Sequence, residues 1–147
     1  MNEHVSSAHP TFARSMPIID VSDMARSVAF YRDQLGFRTT QWGDPPSFTI
    51  CQRDTITLGL CLTHDTPPKT AHWSAYLYVS DVDALHAAFV AAGVEALGDV
   101  DDRYYGCRDF DVTDPDGHIL AFGQALNIAE DDLGPGLGPA TQTERPQ

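Results

Sequence analysis

Val21-Ser22-Asp23, followed by residues 24–37, is echoed 58 residues later by Val79-Ser80-Asp81, followed by residues 82–93. Each copy reads as an apolar strand that stops at Val-Ser-Asp, where the aspartate caps a helix of three to four turns that ends near a glycine. The offset sets Tyr31 against Phe89, and a one-residue gap then sets Gly36 against Gly93. A duplicated strand-then-helix unit narrows the possible folds sharply. Two such units can join their sheets into a cup, and the lining of that cup decides the function.

The flanking residues extend each copy in the same way. In the first, residues 17–21 form a short apolar segment led by Pro17, suited to an edge strand or a hinge. Met24, Val28, Tyr31 and Leu35 recur at helical spacing and make the stripe of a helix lying on a sheet. A strand over 37–41, a turn at 43–46, and a hairpin of 47–52 with 55–62 follow. Residues 63–70, with Pro67-Pro68, read as a linker. In the second copy, a strand over 73–79 puts Ala75, Leu77 and Val79 on one face and Tyr76 and Tyr78 on the other. Val82, Leu85, Phe89 and Ala92 form the second helical stripe, and residues 94–97 begin another strand. Residues 98–103 read as an acidic loop, and strands over 108–113 and 118–122 flank a turn at Asp114-Pro115-Asp116-Gly117. The expected order is β-α-β-β-β, twice: an α+β domain over 16–126, with modules at 16–62 and 73–126. A partly flexible N-terminal arm, 1–15, precedes it. Residues 127–147, with Glu130-Asp131-Asp132 and Gly-Pro-Gly-Leu-Gly-Pro, are expected to form a disordered tail.

A net charge of -12 on 147 residues argues against a nucleic-acid partner, whose phosphates would be repelled; it would welcome a cationic small molecule, and it equally serves simply to keep the protein soluble. No apolar run is long enough to cross a bilayer, and residues 1–15 lack the pattern of an export signal, so a cytoplasmic protein with no membrane partner is expected. Cys51, Cys61 and Cys107 are odd in number and show no Cys-x-x-Cys spacing, which reads as buried free thiols.

The Val-Ser-Asp pair, Phe30-Tyr31 with Leu35-Gly36-Phe37, and Arg108-Asp109-Phe110 leading into Asp114-Pro115-Asp116-Gly117 together resemble the vicinal oxygen chelate superfamily. That superfamily includes glyoxalase I, ring-cleaving dioxygenases, and fosfomycin and bleomycin resistance proteins. The resemblance implies paired β-α-β-β-β modules that curve a mixed sheet around a pocket, in a homodimer. In its metal-dependent enzymes, His, Gln or Glu ligands come from four strands. The corresponding positions here hold Met16, Ser74, Ala121 and either Leu58 or Gly59. None is a competent ligand, so no metal and no cofactor are expected.

The bleomycin resistance branch is the nearest match. Pro17 stands where that branch has a proline hinge for an arm that crosses to the other subunit. Phe48 matches a pocket phenylalanine, Tyr76 and Tyr78 take the place of pocket tryptophans, and Tyr104-Tyr105 stand near its Trp-Gly. The resemblance therefore implies a metal-free protein that sequesters an aromatic, cationic antibiotic or related metabolite in a groove between two subunits. Phe48 and Tyr105 are the expected sides of an aromatic sandwich; Tyr76, Tyr78, Tyr104 and Trp42 line it, and Asp44, Asp99, Asp101 and Asp102 meet the cation. The alternative is a lyase, dioxygenase or isomerase of the same superfamily, using an unusual metal set or an acid–base pair such as His72 with Asp111. Nothing in the sequence separates an antibiotic-binding role from one in natural-product biosynthesis.

Overall fold

The computed structural model describes residues 9–65 and 71–126. The expected tail, residues 1–8 of the arm, and residues 66–70 of the linker lie outside the described residues.

In both modules an aspartate starts the helix as the sequence predicts. The Asp23 Oδ1 accepts from the Arg26 N–H at 3.0 Å and opens α1 (Met24–Ala29), while Asp81 Oδ1 accepts from the Ala84 N–H at 3.1 Å and opens α2 (Val82–Ala91). α1 does not stay α-helical to Leu35. It widens into a π turn over Phe30–Gln34, with the Leu35 N–H donating to the Phe30 carbonyl at 3.1 Å, and Tyr31 and Leu35 both point inward. Gly36 and Gly93, at φ +80° and +84°, then turn the chain out of the two helices in a conformation that side chains with a Cβ rarely adopt.

Each module builds its own four-stranded mixed sheet. The first runs in the order β1-β4-β3-β2, from β1 (Ile18–Val21), β2 (Arg38–Trp42), β3 (Phe48–Arg53) and β4 (Ile56–Leu62), with β1 parallel to β4. The second runs β5-β8-β7-β6, from β5 (Trp73–Tyr78), β6 (Asp101–Asp102), β7 (Cys107–Thr113) and β8 (Ile119–Ala125), with β5 parallel to β8. The expected strand over 94–97 does not form. Residues 96–98 lie against β7 through the Thr113 N–H to Ala96 carbonyl bond and the Gly98 N–H to Asp111 carbonyl bond, with Leu97 forming a single bridge to Val112. The ladder strand β6 falls instead inside the stretch expected to be an acidic loop.

Helices cover one face of each sheet, where Ile19, Val21, Leu58 and Leu60 of the first module and Leu77, Phe110, Leu120 and Phe122 of the second are buried. The modules are locked together at the Asp114–Gly117 turn. The Asp114 Oδ1 accepts from the N–H groups of Asp116 and His118, and its Oδ2 accepts from the buried Tyr31 hydroxyl at 2.8 Å. Asp116 accepts from Ser22 and from Arg26, and the His118 ring lies between the Asp20 carbonyl, 2.6 Å away, and the Ser74 hydroxyl, 3.2 Å away. Burial raises the Asp116 carboxyl, but the Ser22 hydrogen bonds and Arg26 outweigh it and leave the group below its ordinary range.

Candidate ligand-binding face

Strand alternation sorts the expected site residues between the two faces of each sheet. On the second sheet, Phe110 and Phe122 pack against Phe89 of α2, with ring centroids 5.9 and 5.3 Å from it. Their chain neighbours Asp109, Asp111, Ala121 and Gly123 therefore point to the opposite, helix-free face. Tyr76 pairs with Ala121 and Tyr78 with Gly123, so both tyrosines share that face, their rings 5.1 Å apart. A register slip between Trp73 and Ala75 brings a third ring in: Trp73 lies edge-on to Tyr76 at 4.8 Å and to Tyr105 at 5.9 Å. Gly123 makes the cluster possible, because a Cβ there would land on the Tyr76 ring.

At the base of this cluster lies a charge. Asp109 is only 1% exposed, and its carboxylate accepts from Arg103 Nε at 2.6 Å, from the Tyr76 hydroxyl at 2.9 Å and from the Tyr105 hydroxyl. Three donors, one of them the opposite charge, offset the cost of burying it. Burial, with hydrogen bonds that include Asp109, pushes the hydroxyls of Tyr76 and Tyr105 well above the ordinary phenol range, so both remain neutral donors. Two residues along β7, Asp111 accepts from the Trp73 indole N–H at 3.2 Å. Burial, and the negative charge of Asp109, raise the Asp111 carboxyl above its ordinary value.

The first sheet carries a smaller aromatic patch on its helix-free face. Thr49 faces α1, its hydroxyl 3.2 Å from the Met24 Sδ, so Phe48 and Ile50 face away. Phe48 pairs in register with Trp42, ring centroids 6.4 Å apart. A Cβ on Gly59 would meet Ile18 at 2.8 Å and Phe48 at 2.9 Å, so this glycine is what lets both side chains lie across β4.

The structure brings together Tyr76, Tyr78 and Tyr105, and separately Phe48 and Trp42. Phe48 stands on β3 of the first sheet and Tyr105 in the turn between β6 and β7 of the second, and the two rings do not stack on each other within one chain. Tyr104 is 93% exposed, with its ring edge-on to Tyr105 at 5.1 Å. Asp44 is exposed in the turn between β2 and β3. Asp102 turns to the helix side and pairs with Arg108 at 3.0 Å, Asp101 lies 3.9 Å from Arg103, and the Asp99 carbonyl accepts from Arg103. The acids inside the aromatic cluster are instead Asp109 and Asp111. The sequence offered Asp111 only as half of an acid–base pair with His72 and Asp109 only as part of a family motif, although their alternation with Phe110 and Val112 puts them on the tyrosine face.

The four positions where a metal-dependent relative would need ligands hold Met16, Leu58 or Gly59, Ser74 and Ala121, whose side chains supply one hydroxyl and one thioether. Ser74 spends that hydroxyl on His118. Among the described residues no three His, Cys, Asp or Glu side chains converge on a point. This donor set does not fit a metal ion.

Residues 11–122 match the family model described as Glyoxalase/Bleomycin resistance protein/Dioxygenase superfamily. The chain is 26% identical over 128 residues to a bleomycin resistance protein of Geobacillus stearothermophilus, a match that covers 77% of this chain and 97% of the relative. Its fold is similar to that of a bleomycin-binding protein from bleomycin-producing Streptomyces verticillus, solved with copper(II)-bleomycin: TM-score 0.65, 25% identity, 78% of this chain and 97% of the other. A glyoxalase-related enzyme from Clostridium phytofermentans, at 18% identity and TM-score 0.69 over 82% of this chain and all of that one, shares the fold.

Proposed function

This chain belongs to the Glyoxalase/Bleomycin resistance protein/Dioxygenase superfamily, and from that footing we propose that it binds a flat, aromatic, cationic small molecule of the bleomycin type and sequesters it without turnover. The observation that carries this reading is the ring cluster of Trp73, Tyr76, Tyr78 and Tyr105 on the open face of the second sheet, tied down by Asp109. Stacking a heteroaromatic group there is worth about 0.5–1.5 kcal/mol per ring pair beyond burial. A chain of net charge -12 draws a cation toward it. Sequestration needs no reacting group and no cofactor, only an affinity that keeps the drug from its target.

The opposite wall of the groove comes from a second copy. Phe48 with Trp42 on the first sheet of one subunit faces Tyr105 with Trp73 of the other, which restores the sandwich that a single chain does not make. The residues that lead into β1 support a crossing arm: Phe12 is fully exposed, Met16 and Ile18 are exposed, and Pro17 stands at the root. In this reading the domain spans 16–126, with the arm before it and the tail after it, and the protein works in the cytoplasm as a homodimer.

Titration calorimetry of the full chain with metal-free bleomycin and with copper(II)-bleomycin tests the proposal. Saturable binding of either form below micromolar, with one site per subunit, is expected; no heat from either at tens of micromolar would overturn it.

A further inference from the structure

Among the described residues, one charged group on the open face of the second sheet has no ion-pair partner. Arg103 is a cation of this face and is committed to Asp109, with Nε at 2.6 Å, and to Asp101, at 3.9 Å. Both Asp109 oxygens are taken, one by Arg103 and the other by the two tyrosine hydroxyls. Asp111 stands two residues further along β7 on the same face. One of its oxygens accepts from the Trp73 indole N–H, and among the described residues no arginine or lysine lies within ion-pair distance of it. A half-buried carboxylate held at the indole edge of Trp73, with Arg103 acting on it only from beyond ion-pair distance, costs the fold energy that a ligand can return.

We propose that Asp111 is the cation anchor of this site: it takes a single amidinium, guanidinium or ammonium group on a ligand whose flat portion lies along Trp73 and Tyr76. This rests on the ligand-binding reading of the face given above and adds to it the group that selects for charge. The indole N–H fixes the carboxylate by one oxygen and leaves the other directed at the ligand, so Trp73 acts as a positioning residue for Asp111 as well as a stacking surface. The carboxyl group is raised by its burial beside Asp109, as expected where a second negative charge waits for a positive partner.

The test uses two probes of matched shape, 2-naphthamidine and its neutral counterpart 2-naphthamide, with metal-free bleomycin as a third arm. The wild-type chain is expected to bind the amidine about tenfold more tightly than the amide, a difference of about 1.4 kcal/mol. Asp111→Asn keeps an acceptor for the indole and should erase the preference by weakening the amidine at least tenfold more than the amide. Trp73→Phe should reduce the preference and weaken both probes. An equal affinity for the two probes in the wild type, a preference that survives in Asp111→Asn, or no amidine binding overturns the anchor. Bleomycin binding with no amidine preference removes the anchor and leaves the general function standing; amidine preference without bleomycin binding does the reverse.

Discussion

Tyr76 and Asp109 are 33 residues apart in the chain, on strands that both pair with β8, and the tyrosine hydroxyl meets the carboxylate at 2.9 Å. The bond spans β8 at Gly123, where the missing side chain leaves room for the ring. It fixes the central aromatic ring of the cluster to a fully buried charge on this face. Replacing Tyr76 with Phe keeps the ring but removes the bond, and should cost about 1–2 kcal/mol in urea unfolding. Asp109→Ala should cost more than that, because Arg103 and the two tyrosine hydroxyls lose their shared acceptor.

Gly123→Ala tests the geometry of the floor. The added methyl occupies the space of the Tyr76 ring, so the ring must swing off β8 and carry its hydroxyl away from Asp109. A loss of ligand affinity of at least tenfold is expected, together with a destabilisation of about 1–3 kcal/mol, the usual cost of overpacking a closely packed site. An unchanged titration would show that the ligand does not use this surface.

Asp111 gives a pH dependence of definite sign. Its carboxyl titrates higher in the folded protein than the value near ~3.9 of an unfolded chain. Between those two values the folded state holds a proton that the unfolded chain has released, so this group's contribution to stability falls as pH rises through the window. Above the folded value the cost is fully present. Asp111→Asn should therefore raise the melting temperature at pH 7, with Asp109 and Arg103 still in place, and the gain should vanish at pH 3. A variant that is more stable and binds cations less well is what a functional carboxylate predicts.

The lock between the modules is open to a similar test. The Tyr31 hydroxyl is wholly buried and donates to Asp114, and burial together with that carboxylate pushes its titration well above the ordinary phenol range. Tyr31→Phe should destabilise the chain by about 1–2 kcal/mol. Because Asp114 still accepts from two backbone N–H groups, the turn itself should survive, and ligand affinity should stay within about twofold.

Thiol chemistry gives an independent check on burial. Cys51 lies in the core and burial pushes its thiol up to about 12, Cys107 is buried, and Cys61 is half-buried on the open face of β4. At pH 8, a disulfide reagent should titrate Cys61 first and reach the other two only on unfolding. A ligand that occupies the groove beside Phe48, which pairs with Cys61, should slow that first reaction.

The repeat made the architecture readable, because a capping aspartate, a stripe of apolar residues and a closing glycine are all local in sequence. Strands of five to seven residues on either side of β-turns follow the same logic. The site was readable only in part. Tyr76 and Tyr78 are two apart in a strand, so their shared face follows from alternation alone; Trp73 joins them through a register slip that no pattern announces. The acidic stretch at 99–102 attracted attention by its density, yet Asp102 is spent on Arg108 and turns away. The two acids that lie among the aromatic rings, Asp109 and Asp111, are spaced among Phe110 and Val112 and look like ordinary strand alternation. Whether a charge is spent or available depends on long-range partners, and those are fixed only when β6, β7 and β8 come together.

The indole N–H of Trp73 tests the central claim most directly, since it belongs to the ring cluster and donates to Asp111. In a proton–nitrogen correlation spectrum, the chain's two tryptophans give two indole signals, which Trp73→Phe assigns. On titration with metal-free bleomycin, the Trp73 signal should shift and saturate at the same ratio of ligand to protein as the calorimetric heat. Saturating binding with the Trp73 signal unmoved would contradict the account, because the drug would then be held somewhere other than this face.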